Sequence, residues 1–250
     1  MMPKTTIVLP TYNEKENLPL MIDALQLPVD NLHVLVVDDN SPDGTGQIAD
    51  EIASRNPNVK VLHRAEKNGL GQAYIAGFKQ AIRQDADYVI QMDCDFSHQP
   101  KYVPDLIKAI ENQDLVLGSR FARGGSVDEK WSFYRKLLSW FANRVYTPII
   151  LGIPVHDATG GFRIWRRQTL IGLDLDRIKS NGYVFQVEMV YVTCQLGFRV
   201  TEIPIHFPDR KLGESKMDAR IQMEAAVRVW QLLQRHRALK PDMRRTEVYS

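Results

Sequence analysis

With 250 residues, 44% of them hydrophobic and 25% charged, the chain is long enough to bury a sizeable core and ordinary for one globular domain. Its two cysteines, Cys94 and Cys194, have no ligand-like spacing and exclude a disulfide framework, which fits a reducing compartment. The net charge of +2 hides an asymmetry: residues 1–130 sum to −6 and residues 131–250 to +8, an acidic half able to hold a cation joined to a basic half able to meet an anion.

The chain opens directly on a strand-like run at 5–9, without the basic and apolar regions of a signal peptide. Further strands are predicted at 33–37, 59–63, 88–92 and 115–118, with helical patterns between them at 14–25, 45–54, 71–83 and 103–111. Such alternation predicts an α/β fold, a mostly parallel central sheet flanked by helices, and the nearly unbroken apolar strands suit a sheet covered on both faces. Ligands of such sheets sit beyond the carboxyl ends of the strands. The distinctive residues gather there: Pro10-Thr11-Tyr12-Asn13-Glu14, Asp38-Asp39-Asn40-Ser41-Pro42-Asp43-Gly44 and Asp93-Cys94-Asp95.

After residue 118 the pattern changes. A loop at Gly124-Gly125 leads into the aromatic and basic stretch WSFYRKLLSWFANRVYTPIILG, followed by a turn at 156–161, a helix at 183–197 and a strand at 200–205. A polar loop, PDRKLGESKMD, precedes a closing helix at 219–235 and a basic tail. The longest apolar stretch, 146–155, is about half of the ~20 residues that a membrane-spanning helix needs, so the chain is not expected to cross a membrane. Without repeats or low-complexity segments, a single domain is expected.

Asp93 and Asp95 carry the chemistry most plainly. In extended backbone, residues two apart point to one face, so both carboxylates aim at one small volume and repel unless neutralised. A raised pKa or a divalent cation would relieve them. Mg²⁺ and Mn²⁺ suit the second solution, since each takes one or two carboxylates together with substrate phosphate. Asp38 and Asp39 end another strand, where a carboxylate can accept from a nucleobase edge or ribose hydroxyls, but neither a dinucleotide glycine fingerprint nor a Walker loop is present. Ser41, Pro42 and Asp43 read as a turn that opens the next helix.

PTYNE at Pro10, VVDDNSPDGT at Val36, KNGLG at Lys67 and MDCDFSH at Met92 resemble the inverting glycosyltransferases of family 2. GSRF at Gly118, WSFYRKLLSWFAN at Trp131, HDATGGFRIWRR at His156, GYVFQVEM at Gly182 and DRKLGESKM at Asp209 are similar to the polyprenyl-phosphate (dolichyl-phosphate) mannose synthases within it. The resemblance implies a nucleotide-diphosphosugar transferase fold of the GT-A type, a GDP-mannose donor and a polyprenyl-phosphate acceptor. It divides one glycosyltransferase domain, 1–250, into a nucleotide-sugar and metal half (1–120), an acceptor and membrane-facing half (121–237) and the tail (238–250).

Matched residue by residue, it puts Pro10, Tyr12, Glu14, Val37, Asp39 and Cys94 around the nucleotide, and Asp93 and Asp95 on the metal and diphosphate. Ser97 falls at a metal position, where its short side chain would reach the ion only through water. Arg120, Arg210 and Lys216 surround the donor phosphates, and Arg135 and Ser139 meet the acceptor phosphate. Asp95, Arg120 and Arg135 are the expected catalytic residues.

The chemistry is self-consistent. A phosphate monoester with a second pKa near 6 is mostly dianionic at pH 7, so it is its own nucleophile and requires no general base. Asp157 then reads either as a turn residue or as a partner that orients an Arg or binds a sugar hydroxyl, and Glu188 as the partner of a nearby Arg or of mannose hydroxyls. Aromatic residues interleaved with Arg135, Lys136 and Arg144 read as an interfacial helix, and the cations from Arg228 to Arg245 as further lipid contacts. The expected location is cytoplasmic, peripheral on the cytoplasmic face of the membrane, with room for a membrane-anchoring partner and no nucleic acid. The competing readings are a hexosyl transferase using a UDP-sugar, a nucleic-acid binder and a nucleotide-sugar binder without turnover.

Overall fold

The structure, a computed structural model, describes residues 2–208 and 219–249. Arg210 and Lys216, expected at the donor phosphates, lie outside the described residues. The first half alternates as the pattern predicts: β1 (Thr5–Thr11), α1 (Asn17–Ala24), β2 (Leu32–Asp38), α2 (Thr45–Arg55), β3 (Val59–His63), α3 (Leu70–Arg83), β4 (Tyr88–Gln91), α4 (Val103–Ala109) and β5 (Leu115–Ser119). The second half holds β6 (Ser126–Val127), α5 (Phe133–Phe141), a π-helical turn (Ala142–Tyr146), α6 (Thr147–Leu151), β7 (Arg163–Arg166), α7 (Arg167–Leu173), α8 (Gly182–Gln195), β8 (Val200–Pro204), β9 (His206–Phe207) and α9 (Ala219–His236).

Seven strands form one sheet in the order β3-β2-β1-β4-β7-β5-β8, and β6 pairs with β9 beside it. Alternate residues serve opposite faces, as the pleat requires: Val8, Leu35 and Val37 join one buried cluster, and Ile7, Leu9, Val34 and Val36 the other. Helix α3 covers the first face with Tyr74, Phe78, Ala81 and Ile82 at helical spacing. It can approach β1 closely because Gly77 faces Val8: a Cβ at 77 would lie 2.3 Å from Val8 Cγ1.

The parallel expectation holds for every pair in the large sheet except those of β7, which runs antiparallel between β4 and β5 with Ile164 opposite Ile90 and Arg163 opposite Leu117. This strand has only four residues and an arginine at each end, so its sequence lacks a strand signature. Arg163 is fully buried and donates to three backbone carbonyls, of Gly160 (2.8 Å), Ala158 (2.7 Å) and Gln186 (2.9 Å). Burial pulls its guanidinium down to about 9, which leaves it charged at neutral pH. It holds the 158–160 turn against α8.

Two expectations about the second half are settled by packing. Glu188 pairs with α9: Oε1 lies 2.8 Å from His236 Nε2 and 3.3 Å from Arg235 Nη1, while Oε2 accepts from Ser180 N (2.7 Å). An acid buried among these donors belongs to the core and does not reach a sugar. The tail is likewise no free basic arm. Arg244 donates to Leu196 and Gly197 carbonyls and lies over Phe198, Arg245 pairs with Asp174, and Tyr249 is buried with its hydroxyl accepting from Leu175 N. Arg244 and Arg245, expected as lipid contacts, thus already have partners on the body of the protein, although Arg244 stays exposed and Arg245 is only half-buried.

Burial pushes the Glu188 carboxyl up, but the His236 hydrogen bond and the Ser180 N–H outweigh it, leaving the net shift downward. Its stabilisation is therefore present above the ordinary carboxylate pKa and lost as pH falls through the lowered value. Glu188→Ala should cost about 3–5 kcal/mol in urea unfolding at pH 7, and the gap between variant and parent should narrow below about pH 4. A variant as stable as the parent at pH 7 would contradict the assignment of Glu188 to the core.

Candidate active site

Three strand ends meet in one crevice. The carboxylates of Glu14, Asp93 and Asp95 all act on the thiol of Cys94, which burial above all, and then those charges, hold protonated well above the usual thiol range. Pro10 and Val37 pair in the β1–β2 register and form part of the buried floor.

At the nucleoside end, Asp38 is used by its own loop: it accepts from Thr11 Oγ1 (3.1 Å), Ser41 N (3.1 Å) and Ser41 Oγ (2.6 Å). The following turn is built as read from the sequence, with Asp43 accepting from Thr45 N (3.0 Å) and Gly44 at φ 94° ahead of α2. Glu14 accepts from Asn17 Nδ2 (2.7 Å). Asp39 differs from Asp38 in taking a side-chain partner from across the crevice, Arg64. Burial raises its pKa, and Arg64 opposes the rise without cancelling it. The Lys67 ammonium lies 3.6 Å from the Tyr12 ring centre, a cation over the face of the ring.

At the other end, Asp93 and Asp95 follow β4. Asp93 Oδ1 accepts from Tyr74 Oη (2.5 Å) and its N–H donates to His98 Nδ1 (2.8 Å). Burial first, and Asp93 second, keep the Tyr74 phenol protonated far above its usual range, so it remains a donor. Asp95 Oδ1 accepts from Ser97 N (3.0 Å) and from Ser97 Oγ, across a turn that puts Phe96 at φ 63°. Ser97, expected at a metal position through water, is buried and donates to Asp95, which it orients.

Among the described residues no three His, Cys, Asp or Glu side chains cluster as a ready-made cage for a metal. Two carboxylates, each fixed by a donor on one oxygen, fit an Mg²⁺ or Mn²⁺ ion completed by substrate phosphate and water.

Beyond β5, Arg120 is bound bidentately to fully buried Asp157, through Nε (2.8 Å) and Nη2 (2.6 Å), and Nη2 also donates to Thr159 Oγ1 (2.8 Å). Asp157 and Thr159 thus occupy the Nε–Nη2 edge of Arg120, the residue expected beside the donor phosphates. Asp157 proves both alternatives read for it, since it orients an arginine and also caps its turn, accepting from Gly160 N (3.1 Å). Arg135 sits with its guanidinium carbon 3.7 Å from the centre of the Trp131 ring, and Ser139 lies one turn further along α5. Helix α5 buries none of its residues, and Phe133 (80% exposed), Tyr134, Leu137, Trp140 and Phe141 all face solvent. The apolar residues of this helix therefore do not serve a core. Trp131, Phe133, Leu137 and Trp140 line a cavity of about 300 Å³ with Lys136 at its wall.

Sequence reasoning missed Tyr74, His98, Asn143, Thr159 and Arg163. Tyr74 falls on an apolar helical stripe and His98 stands alone beyond the carboxylates, so neither position advertises its partner.

The model of the glycosyl transferase family 2 matches residues 6–173, two thirds of the chain. The chain belongs to glycosyltransferase family 2. An undecaprenyl-phosphate mannosyltransferase of Micrococcus luteus is 48% identical over 93% of this chain and 96% of its own length. A polyprenol monophosphomannose synthase of Mycolicibacterium smegmatis is 43% identical over 90% of this chain and 85% of its own. Among solved structures, a mannosyltransferase of Pyrobaculum calidifontis bound to GDP-Man and Mn²⁺ matches with a TM-score of 0.59 at 19% identity. That match covers 89% of this chain and 61% of the other. Glucosyl-3-phosphoglycerate synthase of Mycobacterium tuberculosis, bound to Mn²⁺, UDP-Glc and phosphoglyceric acid, matches with a TM-score of 0.61 at 20% identity, covering 94% of this chain and 80% of the other. At such identities the likeness shows the fold, of the GT-A type.

Ser97→Ala removes the hydroxyl from Asp95 Oδ1 and keeps the backbone donor. In the family 2 reading, it should raise the Mn²⁺ concentration for half-maximal activity about 10-fold or more and leave thermal stability nearly unchanged. An unchanged metal requirement would contradict the orienting role.

Proposed function

We propose that the chain transfers mannose from GDP-mannose to a polyprenyl monophosphate at a membrane surface, giving polyprenyl-phosphate mannose and GDP. The observation that carries this reading is the likeness to two polyprenyl-phosphate mannosyl enzymes along nearly the whole of both chains, which includes the acceptor half beyond the family match. The geometry supports it: a crevice at three strand ends, a paired-carboxylate end and an exposed apolar helix that also carries cations.

Tyr12 and Asp39 receive the guanosine, with Asp39 accepting from the base edge or ribose, and Pro10, Glu14, Val37 and Cys94 shape the pocket. Asp93 and Asp95 hold a divalent ion, with Ser97 and Tyr74 fixing the carboxylates. When bound, that ion supplies positive charge against the charge building on the departing diphosphate. An acceptor phosphate oxygen attacks the anomeric carbon, the bond from that carbon to the diphosphate oxygen breaks, and the electron pair leaves with GDP. No proton has to be removed, which agrees with Asp157 being bound to Arg120. Arg135 and Ser139 hold the acceptor phosphate, while Arg210 and Lys216 screen the donor. Arg120 acts as a fixed positive wall of the site, its fork toward Asp157 and its charge toward the phosphates.

Helix α5 and Ile149 of α6, 73% exposed, suit insertion at the headgroup boundary, since an apolar and aromatic face with basic neighbours favours an interface over bulk water. No helix among the described residues is long and apolar enough to span a membrane. In this reading contact is peripheral, on the cytoplasmic face of the membrane, with a partner protein able to reinforce it.

Purified protein incubated with labelled GDP-mannose, Mn²⁺ or Mg²⁺ and a short polyprenyl phosphate should place label in the lipid extract. EDTA or Asp95→Ala should abolish the signal. Label from UDP-glucose alone would overturn the donor, and label from no donor would overturn transfer itself. Because the Asp39 carboxyl titrates above its ordinary range and accepts most strongly when ionised, GDP affinity should fall with decreasing pH before the usual carboxylate region is reached. Calorimetric titration checks this: Asp39→Asn should flatten the dependence, and an equally steep parent-like curve would contradict it.

A further inference from the structure

Helix α5 carries Arg135 and Ser139 but buries no side chain, so core packing does not set its position. Its place depends on what ties its ends. At the start, Ser132 accepts from Arg135 N (3.3 Å), and Trp131, under the Arg135 guanidinium, packs edge-on against Phe207 with ring centres 6.0 Å apart. At the far end stands Asn143, on the π-helical turn and 1% exposed. Its Nδ2 donates to the carbonyl of Ser139 (3.0 Å), and its Oδ1 accepts from Thr159 N (3.0 Å). The Thr159 hydroxyl in turn accepts from Arg120 Nη2, whose guanidinium is fixed on Asp157. One side chain thus joins the backbone of the acceptor helix to the turn that holds Arg120. Buried amides are satisfied on both atoms only in a narrow geometry, and π-helical turns recur at functional sites.

We propose that Asn143 is a positioning residue that sets the register of α5 against the Arg120–Asp157 pair, and with it the placement of the acceptor phosphate relative to the donor sugar. The proposal rests on the acceptor reading above. It treats the π turn as the device that aims Asn143 inward at Thr159 while the rest of the helix remains exposed. A lateral error of about 1 Å in such a helix is enough to cost about 100-fold in rate.

The test compares the full-length parent with Asn143→Ala, Asn143→Asp and Thr159→Val. Steady-state transfer should show the acceptor kcat/KM falling about 10- to 100-fold in Asn143→Ala, with GDP affinity within about twofold of the parent. Asn143→Asp keeps the acceptor for Thr159 N and should recover part of the loss. Thr159→Val cuts the link to Arg120 and should follow Asn143→Ala. Parallel loss of acceptor use and GDP binding, or no loss of either, would overturn the proposal. Hydrogen exchange, which needs no turnover, supplies the second readout: Asn143→Ala should speed exchange both at 133–146 and at the 157–160 turn, leaving β1 and β4 protected. Should the parent fail to use polyprenyl phosphate, the functional reading falls while the joint change at the two segments still supports the tie. Exchange altered at neither segment would overturn it.

Discussion

The repulsion between Asp93 and Asp95 is the constraint on which the rest of the site depends. Two carboxylates delivered close together just beyond β4 cannot be left bare, and the surrounding structure answers with donors, Tyr74 from α3 on Asp93 and Ser97 on Asp95, while His98 accepts from the Asp93 N–H and fixes the backbone there. These partners fix direction without neutralising charge, which leaves the pair arranged to gain from a cation and its phosphates. The floor that makes this possible is rigid. β4 lies between β1 and the antiparallel β7, and a buried arginine on β7 secures the turn that contains Asp157.

The second half handles charge differently. Asp157 takes the strongest geometry of Arg120, and Thr159 takes what remains of that edge, so the arginine contributes a fixed field and not an adaptable grip. This division suits a reaction between two anions, where the obstacle is bringing phosphates together and not generating a nucleophile. Meanwhile α5 leaves Phe133, Tyr134 and Trp140 in solvent, a desolvation left incomplete by the fold, which is why the proposed lipid contact is placed there.

Much of the fold was legible because its signals are local. The strand–helix alternation, the carboxyl-end placement of Asp39, Asp93 and Asp95, and the turn at Asp43-Gly44 follow from periodicity and turn chemistry, and the structure reproduces them. What was hidden is non-local. Four-residue β7 carries arginines where a strand pattern calls for apolar residues, and Arg163 becomes legible only once three carbonyls converge on it. Asp157 was legible as an alternative but not as a decision, because its partner lies 37 positions away. The tail was hidden for a related reason: composition marks Arg244 and Arg245 as cations, while their pairing with Phe198 and Asp174 depends on where the chain returns.

The central claim, that paired carboxylates and a nucleoside diphosphate share one divalent ion, is tested most directly by counting free Mn²⁺ by electron paramagnetic resonance as protein is added with and without GDP. The account predicts weak binding to the protein alone, binding at least about tenfold tighter once GDP is present, and loss of that gain in Asp93→Asn. Mn²⁺ held equally well without GDP, or a gain that survives Asp93→Asn, would contradict it.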